Sequence, residues 1–193
     1  MPFVFKRLAL LMSIAAAFAA DKEPVFHAPA AGSMPHHQTT APLTIGVDPY
    51  VSGEKLKVAF GKLVPSQYGV LPVLVVIQND GNKTIRLENL HVEYVGAHLR
   101  VDATSARDVR YAKAPRQPNI PVGPLSGIHK KNPLDTWEIE GRAFAAKMLP
   151  PGNTASGFFY FQADLEAGAT IYLSGLSEAE SGKELLYFEI PLQ

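Results

Sequence analysis

The chain contains no cysteine. That removes thiol nucleophiles, disulfide exchange and thiolate metal sites from its chemistry, and leaves packing, not cross-links, to stabilise whatever folds. Tryptophan is nearly missing too, with Trp137 the single residue. A surplus of one charge is lacking: 18 basic residues stand against 18 acidic ones, whereas a general nucleic-acid binder carries a basic excess. Apolar runs all fall short of the roughly 20 residues a spanning helix needs, so no transmembrane segment is expected in the mature chain. Also absent are the Gly-x-Ser-x-Gly elbow, the phosphate loop, the His-Glu-x-x-His pair and the dinucleotide fingerprint. The sequence therefore offers no recognised catalytic pattern, and the expectation is a protein that is not an enzyme.

What is present begins with an address. Lys6 and Arg7 precede an apolar run from Leu8 to Phe18, and Ala17-Phe18-Ala19 supplies a small-x-small cleavage pattern. Residues 1–19 read as a signal peptide, which implies export to the periplasm or beyond the cell. Residues 20–40 read as a disordered linker: Pro24, Pro29 and Pro35 break regular structure and large apolar residues are few. This stretch carries His27, Met34, His36 and His37, whose imidazole and thioether groups suit copper, nickel or zinc. The expectation is a spacer first, with no resident cofactor; weak metal binding by these four residues is the alternative.

From Ala41 the pattern turns to short strands, and 41–193 reads as one domain. Leu56, Val58 and Phe60 alternate with Lys55, Lys57 and Ala59, the period of a half-buried strand. Leu71 to Ile77 is continuously apolar and reads as a central strand covered on both faces. Asn79-Asp80-Gly81-Asn82 follows, with Asp-Gly suited to a tight hairpin turn. Leu90, Val92 and Tyr94 then alternate with His91 and Glu93, placing the latter two on the opposite face. Gly96 marks a bend, after which Leu99 and Val101 resume. Gly157 to Phe161, Ile171 with Leu173, and Leu186 with Phe188 and Ile190 supply further strands. The count is about seven or eight, arranged as an all-β antiparallel sandwich.

Two regions depart from that rhythm. Asp135 to Leu149 has a loose helical spacing of Trp137, Phe144, Ala145 and Met148 and stops at Pro150-Pro151-Gly152, which predicts one short helix. Ala112 to Pro133 carries Pro115, Pro118, Pro121 and Pro124 at intervals of three, the period of a polyproline II helix. Such a long connection is unusual in a compact domain and is often functional. Charge concentrates here as well. Arg100, Arg107, Arg110, Lys113, Arg116, Lys130 and Lys131 face only Asp102 and Asp108 between positions 100 and 131, in a chain otherwise acidic. These seven residues are the candidate binding set, and their chemistry suits an unknown protein, a polysaccharide or another anionic surface rather than nucleic acid.

Other side chains carry less. His91 and His98, seven apart, fall on opposite faces of an unbent strand. Asp135, Glu138 and Glu140 around Trp137 offer paired carboxylates, but the first turn of a helix attracts acidic residues by its dipole alone.

The run LPVLVVIQNDGNKTIRLENLHVEYV, with AFAAKMLPPGNTASGFFYF and the ending LLYFEIPLQ, resembles a broad class of exported bacterial immunoglobulin-like domains of unknown function. The features that carry the resemblance are Val75 to Gly81, Ile85 and Leu87, Pro151-Gly152, and Gly157 to Phe161. It implies an immunoglobulin-like β-sandwich with a binding, assembly or accessory role, and supplies no catalytic residues. The reading is thus a non-enzymatic exported module that contacts an anionic partner through 100–131. Metal binding through the N-terminal tail, and an uncharacterised hydrolase, are the alternatives.

Overall fold

The computed structural model of the chain describes residues 26–111, 134 and 137–192. The expected leader over 1–19 lies outside them, as does the proline series from Pro115 to Pro124. No helix among the described residues is long and apolar enough to cross a membrane.

The structure is mostly β, with antiparallel sheets and few helices. In chain order the strands are β1 (His36–Thr40), β2 (Leu43–Pro49), β3 (Leu71–Asn79), β4 (Ile85–Arg86), β5 (His91–Val95), β6 (Arg100–Asp102), β7 (Met148–Leu149), β8 (Thr154–Phe161), β9 (Thr170–Ser174), β10 (Ser177–Glu178) and β11 (Phe188–Pro191). The helices are α1 (Gly53–Phe60) and α2 (Trp137–Arg142). One four-stranded sheet runs β1-β2-β3-β8, a second runs β11-β9-β5-β6, and a three-stranded ribbon runs β10-β4-β7. The expected seven or eight strands are therefore eleven, in three sheets, among the described residues. The excess comes in part from short pairings such as β7 and β10, two residues each, which leave no periodic signature to read.

β3 explains the architecture. Every residue from Leu71 to Ile77 is buried, because the strand sits between β2 and β8 and both its faces are covered. Val73, Val75 and Ile77 join one core with Val92, Tyr94, Ile171, Leu173, Phe188 and Ile190 of the second sheet. Leu74 and Val76 point the other way, into a second core with Leu56 and Phe60 of α1, Ile139 of α2, and Phe158 and Tyr160 of β8. The first four-stranded sheet thus has the second sheet on one side and helices on the other.

That second core corrects a strand expectation. Leu56 to Phe60 form the end of helix α1, not a strand. Leu56, Ala59 and Phe60 are buried while Val58 is 47 % exposed, a helical and not an alternating pattern. The Ser52 hydroxyl caps the helix by accepting from the Lys55 amide, and Gly61 ends it at φ 63°. Lys55 Nζ lies 2.8 Å from Asp48 Oδ1 and ties the helix to the end of β2.

The linker expectation over 20–40 is corrected in its described part. From Phe26 onward the chain is built into the fold: Ala31–Ser33 form a single 3₁₀ turn and β1 pairs with β2 from His36↔Val47 to Thr40↔Leu43. Pro29 and Pro35 stand just outside these elements, so neither costs a ladder bond. Gly46 makes the docking possible, since a Cβ there would lie 2.5 Å from the Ala31 carbonyl oxygen and 2.6 Å from Met34 Sδ.

The hairpin expected at Asn79–Asn82 is also corrected. β3 pairs with β2 and β8, while β4 pairs with β10 and β7, so the chain changes sheets at this corner. Buried Asn79 holds it, its amide donating to the Lys83 and Leu149 carbonyls at 2.8 and 2.9 Å while its Oδ1 accepts from the Gly81 amide at 3.0 Å. The helix expected over 135–149 shrinks to α2, after which Ala143 bridges to Phe158 and β7 begins. The Tyr160 hydroxyl fixes α2 by donating to the Ile139 carbonyl at 2.8 Å.

Candidate functional site

The best-equipped surface is the outward face of the β11-β9-β5-β6 sheet near its free edge. β5 and β6 form a hairpin whose turn is closed by the Gly96 amide donating to the Leu99 carbonyl at 2.7 Å. From the pair Val95↔Arg100 the register runs back to Glu93↔Asp102, and Glu93 also faces Tyr172 on β9. Alternate residues of a strand share a face, so His91 and Glu93 stand beside Tyr172, Arg100 and Asp102 while Val92 and Tyr94 fill the core.

The side chains meet in a chain of contacts. The Tyr187 and Tyr172 rings stack at 5.1 Å between centroids. The Arg100 guanidinium sits 5.7 Å from the Tyr172 centroid, within reach of its π face. Arg100 Nη2 donates to Glu93 Oε2. The other oxygen, Glu93 Oε1, lies 3.2 Å from His91 Nε2, and that nitrogen is 3.3 Å from Asp102 Oδ1. The hydrogen bond from Arg100 holds the Glu93 carboxyl below the usual carboxylate range, with the His91 contact acting in the same direction. In return Glu93 pushes the Arg100 guanidinium up. Among the described residues, His91, Glu93 and Asp102 form the group whose ligand atoms all lie within 4.8 Å of one another.

Beside this edge a cavity of about 350 Å³ opens between Leu90, Thr104, Phe144 and Phe159. His91 and Tyr160 are its titratable residues. The Tyr160 hydroxyl is committed to Ile139 and burial pushes its pKa up. Ser105 also lines it, its hydroxyl donating to Asp108 Oδ2 at 2.6 Å.

The predicted basic set is only partly in view. Arg100 opens β6 on the face just described. Arg107 is exposed in the turn beyond it, its carbonyl accepting from Arg110 Nε at 2.7 Å. Arg110 reaches Glu140 Oε1 at 3.5 Å and covers the Tyr111 ring. Lys113, Arg116, Lys130 and Lys131 lie outside the described residues, as does Asp135.

The four tail residues are not brought together as one ligand set. Met34 is 2 % exposed, its sulfur packed where a Gly46 side chain would be, which removes it from solvent chemistry. His36 and His37 alternate along β1, half-buried and exposed, so their rings leave opposite faces. His37 Nδ1 is 2.9 Å from the Met34 carbonyl oxygen, and His27 is exposed. His98 lies in the β5–β6 turn, away from the outward strand positions. Alternation had already put His91 and Glu93 on one face. Asp102 was missed because its place depends on the length of the turn at Gly96–Leu99, which sets the register.

No protein-family model matches the chain, and no curated protein matches it. Solved structures similar to it over most of its length include two from bacteria. One is a structural-genomics target from Bordetella pertussis, 16 % identical, covering 86 % of this chain and 93 % of its own, at a TM-score of 0.35. The other is a functionally unknown protein from Listeria monocytogenes EGD-e, 12 % identical, covering 81 % of this chain and 80 % of its own, at a TM-score of 0.37. Neither likeness reaches a TM-score of 0.5, so neither bears on what the chain does.

Proposed function

We propose that the protein is a non-enzymatic, exported binding or accessory module, of immunoglobulin-like sandwich type, which meets an anionic partner through the basic segment 100–131. The observation that supports this most is position: β6, which opens the segment, is the edge strand of its sheet, and exposed Arg107 follows in the turn beyond it. An edge strand leaves one row of backbone groups without a neighbouring strand, and a rigid sheet beneath it holds the first arginine in place. Glu93 and Glu140 offset Arg100 and Arg110 in part. The surplus that remains rests on Arg107, Lys113, Arg116, Lys130 and Lys131, and one-signed charge of this kind speeds and orients encounter more than it adds affinity.

The test is retention of the full chain on beads carrying polygalacturonate, an acidic polysaccharide. Retention is expected at low ionic strength, falling as salt shortens the Debye length to about 8 Å at 0.15 M. The triple variant Arg107→Ser, Lys113→Ser, Arg116→Ser is expected to pass through unretained. Equal retention of both proteins sinks the reading.

A further inference from the structure

We infer that His91, Glu93 and Asp102 form a binding site for one first-row divalent metal ion, zinc in the first instance, on the outward face of the β5–β6 hairpin. Three observations meet here. The first is spacing. Oxygen and nitrogen ligands about 2.0–2.2 Å from a zinc ion at tetrahedral angles stand roughly 3.3–3.6 Å from one another. His91 Nε2 lies 3.2 Å from Glu93 Oε1 and 3.3 Å from Asp102 Oδ1, and all three ligand atoms fall within 4.8 Å. Two sides of that triangle already stand at a zinc ligand set's spacing, and the third, between the two carboxylate oxygens, is no longer than 4.8 Å.

The second observation is ligand chemistry and support. One imidazole and two carboxylates match the mixed nitrogen and oxygen preference of zinc and its neighbours, and do not match the all-oxygen shell of magnesium or calcium. Carboxylates that ligate metals are themselves held by hydrogen bonds. Glu93 has that support: Arg100 takes Oε2 and turns Oε1 toward His91. Arg100 is fixed in turn over the Tyr172 ring. With Arg100 included, the two carboxylates still leave the cluster with a net negative charge before an ion enters.

The third observation is access. Half of the His91 side chain and 70 % of that of Asp102 are exposed, so an ion arrives from solvent without opening the fold. Glu93 is 13 % exposed and forms the floor. His91 would bind through Nε2 as the neutral ring, with its hydrogen on Nδ1. Three protein ligands leave a fourth position on the zinc for water or for a donor atom of a partner. The site uses none of the four tail residues.

The experiment is calorimetric titration of the full chain with zinc chloride in a non-chelating buffer near neutral pH. The variants are His91→Gln, Asp102→Asn, and the tail pair His36→Gln with His37→Gln. Wild type is expected to take up one zinc ion saturably. His91→Gln and Asp102→Asn should each weaken it at least about tenfold, the lower bound for losing even an outer partner of a metal site. The tail pair should leave binding unchanged. As a measurement free of any variant, zinc should perturb the His91 imidazole signals in the NMR spectrum of the wild-type chain and not those of His36. The proposal fails if wild type shows no saturable uptake, if His91→Gln binds as wild type does, or if the tail pair alone loses the ion.

Discussion

A single buried side chain holds the corner at which the chain leaves one sheet for another. Asn79 is fully buried, and each of its polar atoms is used: two carbonyls from separate elements accept from its amide, and the Gly81 amide donates to its oxygen. Asn79→Ala leaves those three backbone groups without their partner, the Leu149 carbonyl in a buried place and the other two in part-buried ones. Each orphaned group costs about 1–3 kcal/mol, and partial relaxation should bring the total to roughly 2–3 kcal/mol. Urea unfolding checks this, and a loss below about 0.5 kcal/mol would mean the corner is held elsewhere. The sequence shows Asn79-Asp80-Gly81-Asn82 as turn chemistry and says nothing of which strands it joins. A tight Asp-Gly hairpin turn would put Gly81 at positive φ. It is not among the positive-φ glycines; instead a Cβ there would approach Pro42 to 2.6 Å and Asn79 Oδ1 to 3.2 Å. Its smallness serves a long-range contact, which no local pattern encodes.

At the scale of the element, five residues of α1 satisfy two periods at once. Leu56, Val58 and Phe60 alternate like a strand, yet Ser52 is a cap and Gly61 a stop. The cap and the neighbouring apolar sheet decide the outcome, and the two readings differ in what Val58 does. In a helix it faces water; in a strand it shares the core with Leu56 and Phe60. Val58→Lys is therefore expected to change stability by no more than about 0.5 kcal/mol, as surface substitutions usually do. Phe60→Ala, which empties a position packed 4.8 Å from the Phe158 ring, should cost about 3–5 kcal/mol. Thermal unfolding distinguishes them, and a Val58→Lys variant as damaged as Phe60→Ala contradicts the helix. Strands with long, strongly patterned sequences were legible: β3, β5, β8 and β9 fall where Leu71–Ile77, Val92–Tyr94, Gly157–Phe161 and Ile171–Leu173 put them. β1 was not, because His36–Thr40 is polar and edge pairing adds no apolar signature.

At the scale of the whole molecule, one sheet is covered on both sides and the other keeps an outward face. Helices α1 and α2 occupy the outer side of β1-β2-β3-β8, while β11-β9-β5-β6 presents Tyr187, Tyr172, Arg100, Glu93, His91 and Asp102 to solvent. The basic segment leaves from the free edge of that same sheet. The sequence revealed the charge asymmetry and the outward placement of His91 and Glu93. It did not reveal that the two features share an edge, since that follows from the strand order β11-β9-β5-β6. If the protein acts by holding an acidic partner, contact must begin at this edge. The most direct measurement is an NMR titration of the isotopically labelled full chain with an acidic oligogalacturonate, following every backbone amide. Saturable shifts concentrated on residues 100–111 and the outward positions of β5, with α1 unmoved, are what the account predicts. Shifts centred on β1 or α1, or none that saturate, would contradict it.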